Sequence, residues 1–317
     1  MRLVFLGAGE FGLPTLEWLA QNHQVVGVVS QPDRPAGRKQ ALTPTPVSAW
    51  ALANQVPLMR FEDANAPGAV AQIAALAPEA AVVIAFGQKL SPALIGSLGK
   101  LAVNLHSSLL PKYRGAAPIH WSVIHGDEEA GVSVIGLAQK MDAGLIYAQQ
   151  RLSIGGRETT GELHDRLSAL GPGVVGRVLR DLQGGQLAPL AQEETQATRA
   201  PKFIKGDGTA HFNQPARLVR ARINGLTPWP GCRVAWRKTG EAAPRELFLR
   251  RAVETAGGAP GGAVPGSMLD GFRVACAPGV VELLELQVPG GKILPAADFA
   301  RGQGGPLPGD VLEPWTG

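Results

Sequence analysis

Three side chains have the types and spacing needed to manage a proton beside a reacting carbonyl. Asn104 and His106 stand two residues apart in the run Leu101–His106, so a strand there turns both to one face. A primary amide can donate to an oxyanion, and an imidazole can pass a proton near neutral pH. The imidazole needs a third group to orient it. Asp142, in Lys140-Met141-Asp142-Ala143-Gly144, follows the apolar run Gly131–Leu137 and could supply that group. No serine or cysteine nucleophile is required if the substrate brings its own amine. The set suits acyl transfer to an amine, with Asn104, His106 and Asp142 as candidate catalytic residues. The competing reading is a strand-end Asn and His with structural roles only.

The elements that must hold these residues alternate along the first half of the chain. Leu3–Leu6, Val25–Ser30, Ala80–Ala85 and Leu101–His106 are apolar runs of strand length, and Gly131–Leu137 and Ile146–Ile154 add two more. Helical stretches fall at Leu13–Gln21, Val47–Asn54, Ala66–Leu76 and Ala117–His125. Continuous apolar strands between helices imply a parallel sheet buried on both faces, with ligands at the carboxyl ends of its strands. Thr160–Leu182 is amphipathic, with a kink or break expected at Gly171-Pro172-Gly173. Gln186–Gly208 is polar and aperiodic and reads as a linker. Beyond it, short pieces at Cys232–Arg237, Glu246–Ala252, Phe272–Ala275 and Val280–Val288 are separated by turn signals, the spacing of a small barrel or sandwich.

Composition narrows the class. With 317 residues, 45% of them hydrophobic, the chain can bury a core in each of about two domains. Cys232 and Cys276 are too few for a disulfide framework or a four-thiolate zinc site, and no histidine spacing suggests a metal. The longest unbroken apolar run, Ala80–Phe86, is far below the ~18 residues that span a bilayer. A cytoplasmic protein is expected. Gly7-Ala8-Gly9-Glu10-Phe11-Gly12 matches a dinucleotide fingerprint between a strand and a helix, with Asp33 downstream. Pro14 removes one amide from the set that would cradle a pyrophosphate, and Asp33 lies in a proline-flanked turn. A tight structural turn is the preferred reading, and a nicotinamide-dependent oxidoreductase the lesser alternative.

Charge is unevenly placed. The net +4 lies wholly in residues 202–317, and Arg199–Arg251 alone carries 12 Lys or Arg against 3 acids, Asp207, Glu241 and Glu246. Such a window marks a polyanion partner. Its alternatives are a plain solvated face or a non-catalytic RNA-binding protein.

Several ordered motifs together resemble the 10-formyltetrahydrofolate-dependent formyltransferases. They are Asn104-Leu105-His106, Ser108-Leu109-Leu110-Pro111, Arg114-Gly115-Ala116-Ala117-Pro118-Ile119, Asp142, Gln31-Pro32-Asp33-Arg34-Pro35-Ala36-Gly37-Arg38, and Asn224 with Pro228-Trp229-Pro230-Gly231. The resemblance implies a doubly wound, Rossmann-like α/β catalytic domain of formyltransferase type over 1–188, a linker over 189–206, and a small OB-like β-barrel that binds tRNA over 207–317. It implies 10-formyltetrahydrofolate as donor, initiator methionyl-tRNA as acceptor, a monomer, and no metal, nicotinamide or membrane. Asn104, His106 and Asp142 fall on the family's catalytic positions. Phe86, Gly87, Ser108, Leu109, Leu110 and Pro111 fall on its folate-binding segments. Arg34, Arg38 and Lys39 lie in the loop expected at the tRNA acceptor end, and Lys202, Lys205, Arg217, Arg220 and Arg222 are the basic-window candidates. Ser107 stands where the family usually has glycine, and the basic run after Arg38 is thinned to Lys39-Gln40-Ala41. A related enzyme acting on an amino sugar nucleotide would share the catalytic three but has less use for the basic barrel.

Overall fold

The computed structural model describes residues 1–37 and 40–316, which divide into two compact units. The first comprises Met1–Gly115, Gly131–Leu152 and His164–Arg199; the second comprises Ala116–Ala130, Ser153–Leu163 and Ala200–Gly317.

In the first unit, β1 (Arg2–Gly7) and β2 (Gln24–Ser30) pair in parallel. A small antiparallel hairpin, β3 (Arg34–Ala36) and β4 (Ala41–Thr43), follows them. Strand β5 (Leu58–Arg60) lies parallel on β2, β6 (Ala80–Ile84) parallel on β1, and β7 (Leu101–His106) parallel on β6. After the two-residue β8 (Arg114–Gly115) come β9 (Glu129–Gly136) and β10 (Ile146–Ser153), giving the sheet order β10-β9-β7-β6-β1-β2-β5. Val4, Leu6, Val29, Ala81 and Val83 from the strands pack with Ile73 and Leu94 from flanking helices and with Leu98 just beyond the second of these, all buried. Each Val, Leu or Ile side chain among them contributes about 1.5–3 kcal/mol on burial.

The four strands read as a parallel sheet, β1, β2, β6 and β7, are parallel, and the departure lies beyond them. The sheet is mixed, because β9 runs antiparallel to β7, with His106 opposite Ser133 and Asn104 opposite Ile135. A parallel neighbour needs a crossover helix packed on the sheet. The helix between these strands, Pro118–Ile124, is only seven residues long and itself belongs to the second unit, where it packs on the helix Ala216–Gly225. Thr160–Leu182 is broken, not kinked, into helices Thr160–Ser168 and Gly171–Gln183.

The second unit closes a small barrel. After the two-residue β11 (Arg199–Ala200), which is not part of the barrel sheet, it contains β12 (Cys232–Arg237), β13 (Arg245–Glu254), β14 (Met268–Leu269), β15 (Arg273–Ala275), β16 (Val280–Gln287), β17 (Leu294–Pro295) and β18 (Val311–Pro314). The order is β14-β15-β16-β13-β12-β18, with β17 on β16. An antiparallel bridge from Ser267 to Val311 brings the two ends together. Trp236, Phe299, Leu247, Leu249, Val281 and Leu283 fill the interior. Buried Asn224 donates its Nδ2 to the Ala252 carbonyl at 3.0 Å and accepts the Ala252 N–H at 2.9 Å. It thereby completes the ladder where β13 bulges between Leu249 and Ala252. Asn224 in its motif is a structural residue.

Candidate active site

On β7, Asn104 and His106 lie on the face opposite Val103 and Leu105, which are buried in the core. His106 is also buried, at 6% exposure, and its Nε2 lies 2.9 Å from the Tyr113 carbonyl oxygen. A carbonyl can only accept, so Nε2 carries the hydrogen and Nδ1 is the nitrogen left for chemistry. Nδ1 faces Asp142 Oδ2 at 3.7 Å, within ion-pair range but beyond a hydrogen bond. The ring is therefore oriented by the Tyr113 carbonyl, with the Asp142 carboxylate beside it. Asn104 is half-buried, and among the described residues no hydrogen bond engages its side-chain amide.

The carboxylate is held in turn. Asp142 Oδ2 accepts the Gly115 N–H at 2.9 Å, and the Asp142 carbonyl accepts Gln192 Nε2 at 2.7 Å. A Cβ at Gly144 would overlap the carbonyl oxygen of Gly136, so only glycine lets this loop fold back on the end of β9. Three non-glycine residues in the surrounding segments adopt left-handed backbone conformations: Ala85 (φ 49), Tyr113 (φ 62) and Asp142 (φ 54). Each costs on the order of 1–3 kcal/mol and persists where a site over-determines the backbone.

The segment after β7 is fastened from below. Ser133, fully buried on β9, accepts the Leu110 N–H at 3.0 Å and donates to the Ser108 carbonyl at 2.6 Å. Gln149 on β10 donates to Ser133 at 2.8 Å and to the Leu110 carbonyl at 2.9 Å. The Ser108 hydroxyl is spent on the Lys112 carbonyl at 2.6 Å, so Ser108 offers shape and not a hydroxyl. Leu109 and Pro111 are half-buried, and the peptide bond between Leu110 and Pro111 is cis. Ser107 is not among the residues with positive φ, so its side chain imposes no backbone strain. After β6, Phe86 is buried, its carbonyl accepts Gln31 Nε2 at 3.0 Å, and Gly87 is exposed with φ 83.

Two of the three dinucleotide-like glycines have a packing origin, Gly9 having room for a Cβ. A Cβ on Gly7 would lie 2.6 Å from the Phe5 ring and 2.8 Å from the Ile84 carbonyl, and one on Gly12 would lie 3.0 Å from Phe5. Asp33, the acid downstream, pairs with Arg60 at 3.1 Å.

The basic candidates divide by what their heads touch. Arg34 on β3 pairs with Glu62 at 2.7 Å; Arg38 and Lys39 lie outside the described residues. Lys202, Lys205 and Arg217 are exposed. Arg220 donates to the Gly156 carbonyl at 2.6 Å, and burial pulls its guanidinium below the usual range. Arg222 is tied to the carbonyls of Thr209 and Asp207. The helix Ala216–Gly225 thus carries two arginines that fasten backbone and one that faces solvent. Among the described residues, no group of three or more His, Cys, Asp or Glu could hold a metal ion, and no helix is long and apolar enough to cross a membrane.

Sequence reasoning missed Tyr113 and Gln192. Tyr113 acts through its carbonyl, which has no side-chain signature, and Gln192 lies in the polar stretch read as a linker.

With this geometry in place, comparison with known proteins is direct. Residues 1–179 match the family model for formyl transferase, and residues 202–304 match that for the formyl transferase C-terminal domain. A curated methionyl-tRNA formyltransferase of Moorella thermoacetica is 38% identical over 98% of this chain and 99% of its own length. Another, from Roseobacter denitrificans, is 40% identical over 95% of this chain and 96% of its own. Among solved structures, the N-formyltransferase of Helicobacter canadensis, in complex with folinic acid and dTDP-3-aminofucose, gives a TM-score of 0.66 at 13% identity, covering 89% of this chain and 99% of that one. HypX of Aquifex aeolicus, in complex with tetrahydrofolic acid, gives 0.59 at 15% identity over 95% of this chain and 47% of that one. At these identities the structural likeness establishes the fold alone.

Proposed function

We infer the reaction from a plain premise: the chain belongs to the formyl transferase family, among the methionyl-tRNA formyltransferases. It transfers a formyl group to the α-amine of methionine esterified to initiator tRNA, giving formylmethionyl-tRNA for translation initiation. The donor is 10-formyltetrahydrofolate. Support for a folate comes from the structural neighbours, solved with folinic acid and with tetrahydrofolic acid. The amino-sugar alternative is disfavoured because the sugar-bound neighbour shares only 13% identity, against 38–40% for the curated relatives.

The observation that carries the mechanism is an uncommitted Asn104 amide on the same strand as an imidazole whose Nδ1 faces a carboxylate at 3.7 Å. The methionine amine attacks the formyl carbon, and the Asn104 amide donates to the oxygen as it gains charge. His106 Nδ1 takes the proton the amine loses, and the Asp142 carboxylate stabilises the imidazolium. That proton then passes to N10 of the folate as the bond from N10 to the formyl carbon breaks. Phe86, Gly87 and the segment Ser108–Pro111 line the donor site, through apolar side chains and backbone and not through the Ser108 hydroxyl.

Binding of tRNA falls to the basic excess of the C-terminal region, with exposed Lys202, Lys205 and Arg217 as direct phosphate contacts. Arg220 and Arg222 add to the field while holding backbone. Arg34, with Arg38 and Lys39, completes the proposed set at the acceptor end. The functional division into transfer (1–188), linker (189–206) and tRNA binding (207–317) is supported by the separate family matches to 1–179 and 202–304. The cytoplasm, where charged initiator tRNA is found, is the proposed location. Formyl transfer from 10-formyltetrahydrofolate to charged initiator tRNA, with uncharged tRNA as control, tests the reading.

A further inference from the structure

We infer that Gln192 is a positioning residue for the His106–Asp142 pair: its amide clamps the backbone of the Asp142 loop, at Asp142 and Gly144, to the segment that orients the imidazole. Nε2 of Gln192 donates to the Asp142 carbonyl at 2.7 Å and to the Gly144 carbonyl at 2.8 Å. Its Oε1 accepts from Nε and Nη2 of Arg114 at 3.0 and 2.7 Å. An amide has two donor hydrogens and two acceptor lone pairs, and all four are used.

Both ends of this clamp reach the proposed chemistry at one remove. Arg114, 8% exposed, directly follows Tyr113, whose carbonyl takes the His106 Nε2–H. Nη1 of Arg114 is fixed by Glu194 at 2.8 Å, which closes its guanidinium. At the other end, Asp142 sits at φ 54, a conformation a non-glycine residue holds only when its surroundings over-determine it. Gln192 supplies that constraint from outside, touching neither the carboxylate nor the ring. A displacement of the carboxylate by about 1 Å is enough to cost on the order of a hundredfold in rate.

The inference rests on the proposed formyl transfer for its kinetic consequence only. Gln192→Ala and Gln192→Glu are made in the full chain, with Gln196→Ala, an exposed neighbour in the same segment, as control. Gln192→Glu keeps the size and the acceptors facing Arg114 but loses both donors. Three quantities are read: kcat and KM for formyl transfer, hydrogen exchange of the Gly115 amide that bonds the Asp142 carboxylate, and the unfolding midpoint. Both Gln192 variants are expected to lose about ten- to hundredfold in kcat, with KM within about twofold. Gly115 exchange is expected to quicken at least about tenfold, the unfolding midpoint to hold, and Gln196→Ala to match the wild type. A Gln192→Glu variant with wild-type kcat and Gly115 protection overturns the inference, as does loss of the unfolding transition in both variants, which makes Gln192 a folding residue. If the wild type transfers no formyl group, the reaction assignment fails, while Gly115 exchange still decides the role of Gln192.

Discussion

The Nε2–H of His106 is spent on the Tyr113 carbonyl, so in the proposed mechanism the proton passes through Nδ1, the nitrogen that faces Asp142. This commits the proposed catalytic pair to one tautomer, and the fit depends on where the Asp142 loop lies. Gly144 sets that position, because its Cα packs where a side chain would meet the Gly136 carbonyl. Gly144→Ala is therefore expected to push the loop off the end of β9 and lower kcat by about a hundredfold, with tRNA affinity little changed. Steady-state kinetics beside a tRNA-binding isotherm checks it; equal losses in both would assign the glycine to folding at large. In the proposed mechanism Asn104 acts differently, as a single donor to the developing oxyanion, a role worth about 3 kcal/mol.

At the scale of elements, the segment entering the helix Thr160–Ser168 is pinned to the barrel by one carboxylate. Glu162 accepts from Arg251 Nη1 and Nη2 at 2.9 and 2.8 Å and from the Thr159 N–H and hydroxyl at 2.9 Å. The Arg251 guanidinium, with Thr159, holds its carboxyl at about 2, well under the usual 4.5. A depressed carboxylate stabilises the fold above its ordinary pKa and loses that effect as pH falls toward the folded value. Relative to Glu162→Gln, the wild type should be more stable at pH 7, and the difference should fade between pH 4.5 and about 2. Glu162 is half exposed, so the difference stays within about 1 kcal/mol. Unfolding midpoints of both proteins across that window check it, and a difference independent of pH contradicts it.

The same scale shows what could be read from residues alone. The apolar runs of β1, β2, β6 and β7 announced themselves because burial on both faces demands unbroken Val, Leu and Ala. The direction of β9 did not, since Ala130 to Ile135 is buried in either orientation. Strands β14, β17 and β18 are two to four residues long, too short for any alternation to register. Asn104, His106 and Asp142 were legible as chemistry-bearing types near strand ends. The Tyr113 carbonyl and the Gln192 clamp were not, because backbone acceptors and single long-range amides leave no periodic trace.

Over the whole molecule, charge and chemistry are segregated along the chain: residues 202–317 hold the entire net +4, and the candidate catalytic residues precede them. If about three phosphates are engaged, tRNA affinity should fall roughly 40-fold between about 50 and about 200 mM salt. Lys202→Ala should lower the slope of that plot by about one unit. An affinity indifferent to salt would remove the electrostatic role.

Formyl transfer to methionyl initiator tRNA by the wild type, Asn104→Ala and His106→Ala, measured at saturating 10-formyltetrahydrofolate, bears most directly on the assignment. The wild type should formylate charged tRNA and leave uncharged tRNA untouched, while each variant loses on the order of a hundredfold or more in turnover and still binds tRNA. Turnover near the wild-type level in both variants would contradict it.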